Sequence, residues 1–320
     1  MKPGSAVASL PPAPFGTLLT AMITPFTAGG GRVDFDAAGE VAVQLVSAGN
    51  NGLVVSGTAG EASALTDDEK EQLVRVVRDA VGEQVKVVAG TGSNDTARSI
   101  QAARRAERAG ADGQLVIAPY YNRPSQEGLL QHFTDVAAAT ELPVMLYDNP
   151  ARTGLAIATD TLRRLAGNPA IVALKDAKAD LAATTMVMSD TDIAVYSGDD
   201  GLALPWLAAG AAGLVSVSAN VAPGAYRQLV DATLEGDLPR ARQLHFLLAP
   251  LVRSIMNHVP PAVAAKHLMH RLGRLGCPSA RGPLVEPTQK EFSEISVELA
   301  GTEWAVACAK RPGVSRFVSR

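Results

Sequence analysis

Cysteine is nearly absent from the chain: Cys277 and Cys308 are the only two in 320 residues. They form neither a metal-ligand spacing nor a disulfide framework, which excludes a stapled secreted scaffold and suits a reducing cytoplasm. Aromatic residues are scarce at 4%, so each tyrosine is worth examining singly. No run of about 18 apolar residues occurs, so no membrane span is expected. Charge of neither sign accumulates. The net charge is -3 with no basic block or acidic tail, so neither nucleic acid nor a membrane surface is an expected partner. The opening stretch through Pro11-Pro-Ala-Pro-Phe15 lacks a charged segment followed by a long apolar one. It reads as a disordered tail over residues 1–15, not a signal peptide.

What the chain does have is apolar content, 47%, ample for a large core. Length alone allows two domains, but barrels of about 200 to 250 residues commonly form one. Eight short apolar runs recur: Leu18–Ile23, Leu53–Ser56, Val85–Ala89, Gln114–Ala118, Val144–Tyr147, Ile171–Leu174, Ile193–Tyr196 and Leu214–Val217. Their spacing, about 20 to 35 residues, is what one βα unit needs. They are apolar throughout rather than alternating, as parallel strands covered on both faces must be. Helix signals lie between them. Thr66-Asp-Asp-Glu69 is a capping box ahead of Leu73, Val76, Val77 and Ala80. Asp95–Gly110 is alanine-rich and stops at glycine, and Gln126–Thr140 behaves likewise. No G-x-G-x-x-G follows the first run, so a dinucleotide fold has no support. The expected fold is therefore α/β: a (β/α)8 barrel over residues 16–236.

After Asn220 the strand signals stop. Helical patterns follow over Ala225–Glu235, Leu238–Met256 and Ala262–Leu272, with a last one capped by Thr288 and Glu291. The first is read as the barrel's eighth helix. The rest form an all-helical C-terminal appendage over 237–309, with a frayed tail over 310–320.

The stretch Ile171-Val-Ala-Leu-Lys-Asp-Ala-Lys178 places Lys175 at the end of an apolar strand. A desolvated ammonium is costly, so such a lysine tends to lose its proton, and the neutral amine can attack a carbonyl to form a Schiff base. The plain alternative is a strand-end lysine whose head snorkels to water. Barrel enzymes collect catalytic groups at the C-terminal ends of their strands, and the unusual residues of this chain fall there. Strand two runs into Gly57-Thr-Ala-Gly-Glu61, strand three into Gly90-Thr-Gly92, and strand four into Pro119-Tyr-Tyr-Asn-Arg-Pro124. Strand five ends in Tyr147-Asp-Asn-Pro-Ala-Arg-Thr-Gly154, strand seven in Ser197-Gly-Asp-Asp200 and strand eight in Ser216-Val-Ser-Ala-Asn220. Singly, each has a dull reading: a glycine turn, a core tyrosine, a surface arginine. Together they supply a nucleophile in Lys175, hydroxyls in Thr58, Tyr121 and Tyr147, and a carboxylate grip in Arg152. His267 and His270 lie three apart on what reads as a solvated helix face, and two ligands make a weak site. His132, His245 and His258 stand alone. Neither metal nor cofactor is expected.

The motifs GTAGE, PYYNRPSQEG, LYDNPARTG, LKDAKADL, YSGDD and GLVSVSAN, from about Gly16 to Gly236, resemble the dihydrodipicolinate synthase branch of the N-acetylneuraminate lyase superfamily. KDAKADL is similar to the actinobacterial version. The resemblance implies a class I aldolase reaction. Lys175 forms an imine with pyruvate, and the derived enamine attacks L-aspartate 4-semialdehyde to give 4-hydroxy-tetrahydrodipicolinate, the first step committed to diaminopimelate and lysine. It implies Tyr147 as the acid/base, hydrogen-bonded to Thr58. Tyr121 would complete the relay from the neighbouring subunit of a tight dimer, within a dimer of dimers. Arg152 would bind the carboxylate of the semialdehyde. Backbone around Ala59 and Val215 would hold pyruvate, with Gly198 counted among the substrate-binding residues.

Three departures from the family pattern stand out. Ala59 replaces a usual second threonine, a loss worth about 0.5–1.5 kcal/mol in pyruvate binding, or else room for a bulkier 2-oxo acid. Asp67, Lys70 and Arg98 occupy positions where lysine-sensitive relatives hold the effector, and an arginine there repels a lysine ammonium. His258-Val-Pro-Pro-Ala-Val-Ala-Ala-Lys266 replaces an Asn-Pro-x-Pro-x-Lys pattern, which leaves the packing of the appendage open. Two other readings stay open as well: a Schiff-base aldolase for a different aldehyde or 2-keto sugar acid, and a silent homologue.

Overall fold

The structure, a computed structural model, describes residues 12–305. Cys308, the expected tail over 310–320 and the first eleven residues lie outside the described residues. The chain alternates strand and helix. β1 (Leu18–Ala21) leads through α1 (Phe35–Ser47) to β2 (Gly52–Val55), and α2 (Asp67–Val81) leads to β3 (Lys86–Gly90). α3 (Thr96–Arg108) precedes β4 (Gly113–Ile117), and α4 (Gln126–Ala137) precedes β5 (Val144–Asp148). Two short helices, α5 (Pro150–Thr153) and α6 (Thr159–Leu165), separate β5 from β6 (Ile171–Asp176). α7 (Leu181–Asp190) precedes β7 (Ala194–Ser197), α8 (Ala203–Ala208) precedes β8 (Gly213–Ser216), and α9 (Pro223–Leu234) completes the last unit. The eight strands close in sequence order into a barrel. β8 returns to β1 in parallel, with Leu19 opposite Val215. This is the expected (β/α)8 architecture, with each strand within two residues of the run that announced it.

Local chemistry explains the alternation. Strands such as Leu18–Ala21, Gly52–Val55 and Val144–Asp148 are buried at every position, because helices cover one face and the barrel interior the other. Helix starts are set by short polar side chains that take up otherwise unpaired N–H groups. Asp34 accepts from Ala37 N–H at 3.1 Å, Asp95 from Arg98 at 3.0 Å and Ser125 from Gly128 at 3.2 Å. Thr66 and Glu69 form a reciprocal capping box at 3.2 and 2.9 Å. α4 stops three residues short of the expected Thr140, in a run whose Thr140 hydroxyl instead accepts from Gln114 at 3.4 Å.

Among the described residues three helices follow the barrel: α10 (Leu238–Met256), α11 (Pro261–Arg271) and α12 (Gln289–Glu298), the last with a capping box from Thr288 and Glu291. One expectation fails here. The face of α11 that carries His267 and His270 is half-buried rather than solvated, and Ala262–Lys266, Leu268 and Met269 are buried. His267 packs 5.9 Å from the Phe292 ring, and the His270 Nδ1 lies 2.8 Å from the Leu275 carbonyl oxygen. The apolar run Ala262–Ala265 already asks for cover, and the following chain supplies it.

The expected N-terminal tail also ends early. Phe15 is 1% exposed and belongs to the cluster lining the barrel interior, with Leu19, Val54, Leu115, Met145 and Tyr196. Its amide donates to the Tyr196 hydroxyl at 3.2 Å. Gly113 opens β4 beside it, where a Cβ would sit 2.4 Å from the Phe15 ring. Phe15 thus plugs the floor of the barrel, below the strands' N-terminal ends. Truncating it leaves a cavity that rigid strands cannot close. Phe15→Ala is expected to cost about 3–5 kcal/mol, read as a lowered midpoint in urea denaturation. A loss under about 1 kcal/mol would show that the floor is not close-packed.

Candidate active site

The C-terminal ends of the strands form the mouth, and adjacent registers assemble its centre. Tyr147 pairs with Lys175 across β5 and β6, and Lys175 with Tyr196 across β6 and β7. Side chains alternate across a strand, so Tyr147 and Lys175 point inward together while Asp148 and Asp176 point out. Lys175 is 4% exposed, and its Nζ stands 4.3 Å from the centroid of the Tyr147 ring. Gly198 flanks the lysine. A Cβ there would lie 2.9 Å from Lys175 Cε and 2.9 Å from the Asp176 carbonyl oxygen, so only glycine leaves the lysine its present path.

Tyr147 is perturbed by its neighbours in the mouth. Burial alone would raise its phenol, but the Lys175 charge, a hydrogen bond from Asn149, Thr58 and the Arg152 charge outweigh it, and the hydroxyl is more acidic than an ordinary tyrosine. The Asn149 amide donates to the Tyr147 oxygen at 2.8 Å. Asn149 was not among the residues singled out from sequence. Its signal was present in Tyr147-Asp-Asn149, where two residues along a strand end return to the same face.

The other expected residues divide. Ala59 and Val215 are buried in the same inner cluster as Tyr147. Thr58 is exposed on the turn after β2, and Arg152 is exposed on α5. Tyr121 stands apart: it is 89% exposed, with φ of 72°. Within one chain it is not brought to Tyr147. Asp200 and Asn220, from the last two motifs, tie loops. Asp200 accepts from the Val217 and Ser218 amides at 3.2 and 2.8 Å, while Asn220 donates to the Ala21 carbonyl oxygen at 2.9 Å and accepts from Ile23 at 3.2 Å.

Outside the barrel wall, the two outward carboxylates share one cation. Lys178 Nζ lies 3.4 Å from Asp148 and 3.7 Å from Asp176. Asp176 also accepts from Thr184 at 2.6 Å and from the Lys178 amide at 2.9 Å, and Asp148 from Ile157 at 3.2 Å. Burial pushes the Asp148 carboxyl up to about 6, with Asp176 adding to the rise and Lys178 opposing it. The folded carboxyl therefore holds its proton to about pH 6, whereas an ordinary one loses it near 3.8. Between those values the folded state binds more protons, so this group's contribution to stability falls as pH rises and is level above about pH 6. Asp148→Asn should remove that slope. The wild-type stability, relative to the variant, is expected to decline by up to about 3 kcal/mol from about pH 4 to about pH 6, measured by denaturation at each pH. A constant difference would contradict a buried, raised carboxyl.

Residues 14–301 match the family model described as Dihydrodipicolinate synthetase family. A protein of Kineococcus radiotolerans named 4-hydroxy-tetrahydrodipicolinate synthase is 50% identical over 296 residues, covering 92% of this chain and 96% of that one. Its namesake from Mycolicibacterium paratuberculosis is 51% identical over 288 residues, covering 90% and 95%. Among solved structures, a dihydrodipicolinate synthase from Bacillus anthracis superposes with a TM-score of 0.86 at 40% identity, covering 90% of this chain and 98% of that one. A Cyanidioschyzon merolae enzyme with lysine bound gives 0.86 at 34%, covering 93% and 99%. With a barrel mouth built around an inward lysine and tyrosine, and with likeness running nearly end to end, the chain belongs to the dihydrodipicolinate synthetase family.

Proposed function

We propose that the protein is a 4-hydroxy-tetrahydrodipicolinate synthase, a lyase of diaminopimelate and lysine biosynthesis working through a Schiff base on Lys175. The observation that carries this reading is the buried Lys175 Nζ 4.3 Å from the ring of an acidified Tyr147. In this scheme the neutral Lys175 amine attacks the keto carbon of pyruvate, and water leaves as the imine forms. Loss of a methyl proton gives the enamine, whose carbon bonds to the aldehyde of L-aspartate 4-semialdehyde. Tyr147 passes protons to and from these intermediates, with Thr58 and Asn149 holding its hydroxyl. A phenol more acidic than usual lies closer to the working pH and transfers protons more readily. Arg152, free at the mouth, receives the carboxylate of the semialdehyde, and the turn at Ala59 and the strand at Val215 seat pyruvate beside Gly198.

Tyr121 completes the relay from a second subunit in this reading. Its exposure and its left-handed backbone, unfavourable for a tyrosine without a compensating contact, support a role outside its own chain. In this reading the protein works as a homo-oligomer, a dimer of dimers. Buried in the wall, Ala59 supports one second reading, a 2-oxo acid bulkier than pyruvate, which the same assay distinguishes.

The test is pyruvate consumption with and without L-aspartate 4-semialdehyde. Consumption that needs the semialdehyde, and that Lys175→Ala abolishes, is expected. Borohydride should fix pyruvate on Lys175 in the wild type. Tyr147→Phe is expected to lower kcat by about 10²–10⁴-fold. A protein that gains no mass from pyruvate and borohydride would overturn the reading. Trapping without consumption would move the acceptor to another aldehyde.

Feedback by lysine is expected to be weak. Lys70 is half-buried 4.0 Å from Asp67 on α2, and Arg98 is exposed on α3; the arginine is the cation that would repel the ammonium of a bound lysine. A lysine titration showing half-inhibition well below millimolar would contradict this.

A further inference from the structure

The turn that carries Thr58 and Ala59 is held from outside the barrel. It begins at Ser56 and ends at Glu61, each with φ of 55°, a left-handed backbone that neither residue adopts without support. Short bonds close the turn itself: Glu61 N–H to the Thr58 oxygen at 3.1 Å, and Thr24 Oγ1 to the Gly60 oxygen at 2.7 Å. The Glu61 side chain leaves the mouth and is buried. One of its oxygens accepts from Lys266 of α11, and the other accepts from the Arg281 amide at 2.9 Å.

Lys266 is fully buried, donates also to the Ser279 carbonyl oxygen at 3.1 Å, and sits 4.1 Å over the Phe26 ring. Arg281 adds a fork onto Glu69 at 2.8 and 2.9 Å and donates to the carbonyl oxygens of Gly30, Ala64 and Gly31 at 3.0, 2.9 and 3.1 Å. Gly30 admits this segment, since a Cβ there would lie 2.4 Å from the Ala280 oxygen. A buried ion pair costs about as much in desolvation as it returns. Its use is therefore geometric: two charges with one allowed arrangement fix the turn between them.

We propose that Glu61 and Lys266, backed by Arg281, are positioning residues that set the Gly57–Glu61 turn over the barrel mouth and so set the site's affinity for pyruvate. The inference rests on the reading of Lys175 as the pyruvate-binding lysine. Lys266 closes the His258–Lys266 segment that departs from the family pattern, and the pairing gives that segment a task in the site.

The test compares wild type with the double variant Glu61→Gln/Lys266→Met, which removes both charges and leaves neither stranded. Pyruvate half-saturation is measured by borohydride trapping and by steady-state kinetics, with melting temperature and trapped fraction at saturation alongside. The expected result is a pyruvate KM raised about tenfold or more, with kcat per trappable site, measured on untreated enzyme, within about threefold of wild type. A lower melting temperature or active fraction with KM unchanged would mean a purely structural pair and would overturn the proposal. Glu61→Asp keeps both charges and withdraws the carboxylate by one methylene. It should move KM in the same direction, and an unchanged KM there overturns the proposal even where the double variant does not fold. Absence of trapping in the wild type would instead remove the functional reading itself.

Discussion

The chemistry of the mouth depends on the pleat of two neighbouring strands. Because side chains alternate, the register that sets Tyr147 beside Lys175 also sets Asp148 beside Asp176 on the opposite face. The inner pair is one amine and one phenol, with no carboxylate between them. The outer pair is two carboxylates spanned by Lys178. A slip of one residue in either strand would turn that strand's set over; in β6 it would put Asp176 inside the barrel and leave the amine among the helices. The lysine's environment is thus a consequence of register before it is one of sequence.

Around that centre the remaining polar groups serve placement. Asn149 holds the phenol, Gly198 leaves the lysine its path, and the loop after β8 is stitched to that of β7 by Asp200 and to β1 by Asn220. At the opposite end Phe15 fills the floor, so the barrel is a packed core with one open end. The floor contributes packing and the rim contributes function, a division that barrels share.

Most of the fold was legible in the residues. Apolar runs of strand length at βα spacing, separated by capped and periodic segments, leave few alternatives to a closed parallel barrel, and all eight strands form where those runs stand. That Lys175 and Tyr147 share the inner face was legible from their places at the ends of buried strands, whereas Ala59 and Val215 were reached only through the resemblance of their motifs. Three things were less so. Phe15 sits in a proline-rich stretch with no periodicity, and only the tertiary gap beside Gly113 draws it inside. The histidines of α11 carry polar side chains, and their cover comes from chain that follows. The Glu61–Lys266 contact joins residues 205 apart, and no local pattern announces such a pairing. What sequence reasoning missed is therefore mainly long-range and polar.

The anchoring of the turn after β2 by Lys266 and Arg281 has a consequence in time. The chain is made from its N-terminus, and all eight strands are complete by Ser216, before either anchor exists. At that point the central lysine and tyrosine are already made, while the turn after β2 still lacks its fastening. Only when α11 and the segment after it emerge and fold back can Glu61 be neutralised and buried. The ion pair thus ties the turn after β2 to a part of the chain made long after it, and a product ending before Lys266 would have all eight strands but leave Glu61 without its buried cation.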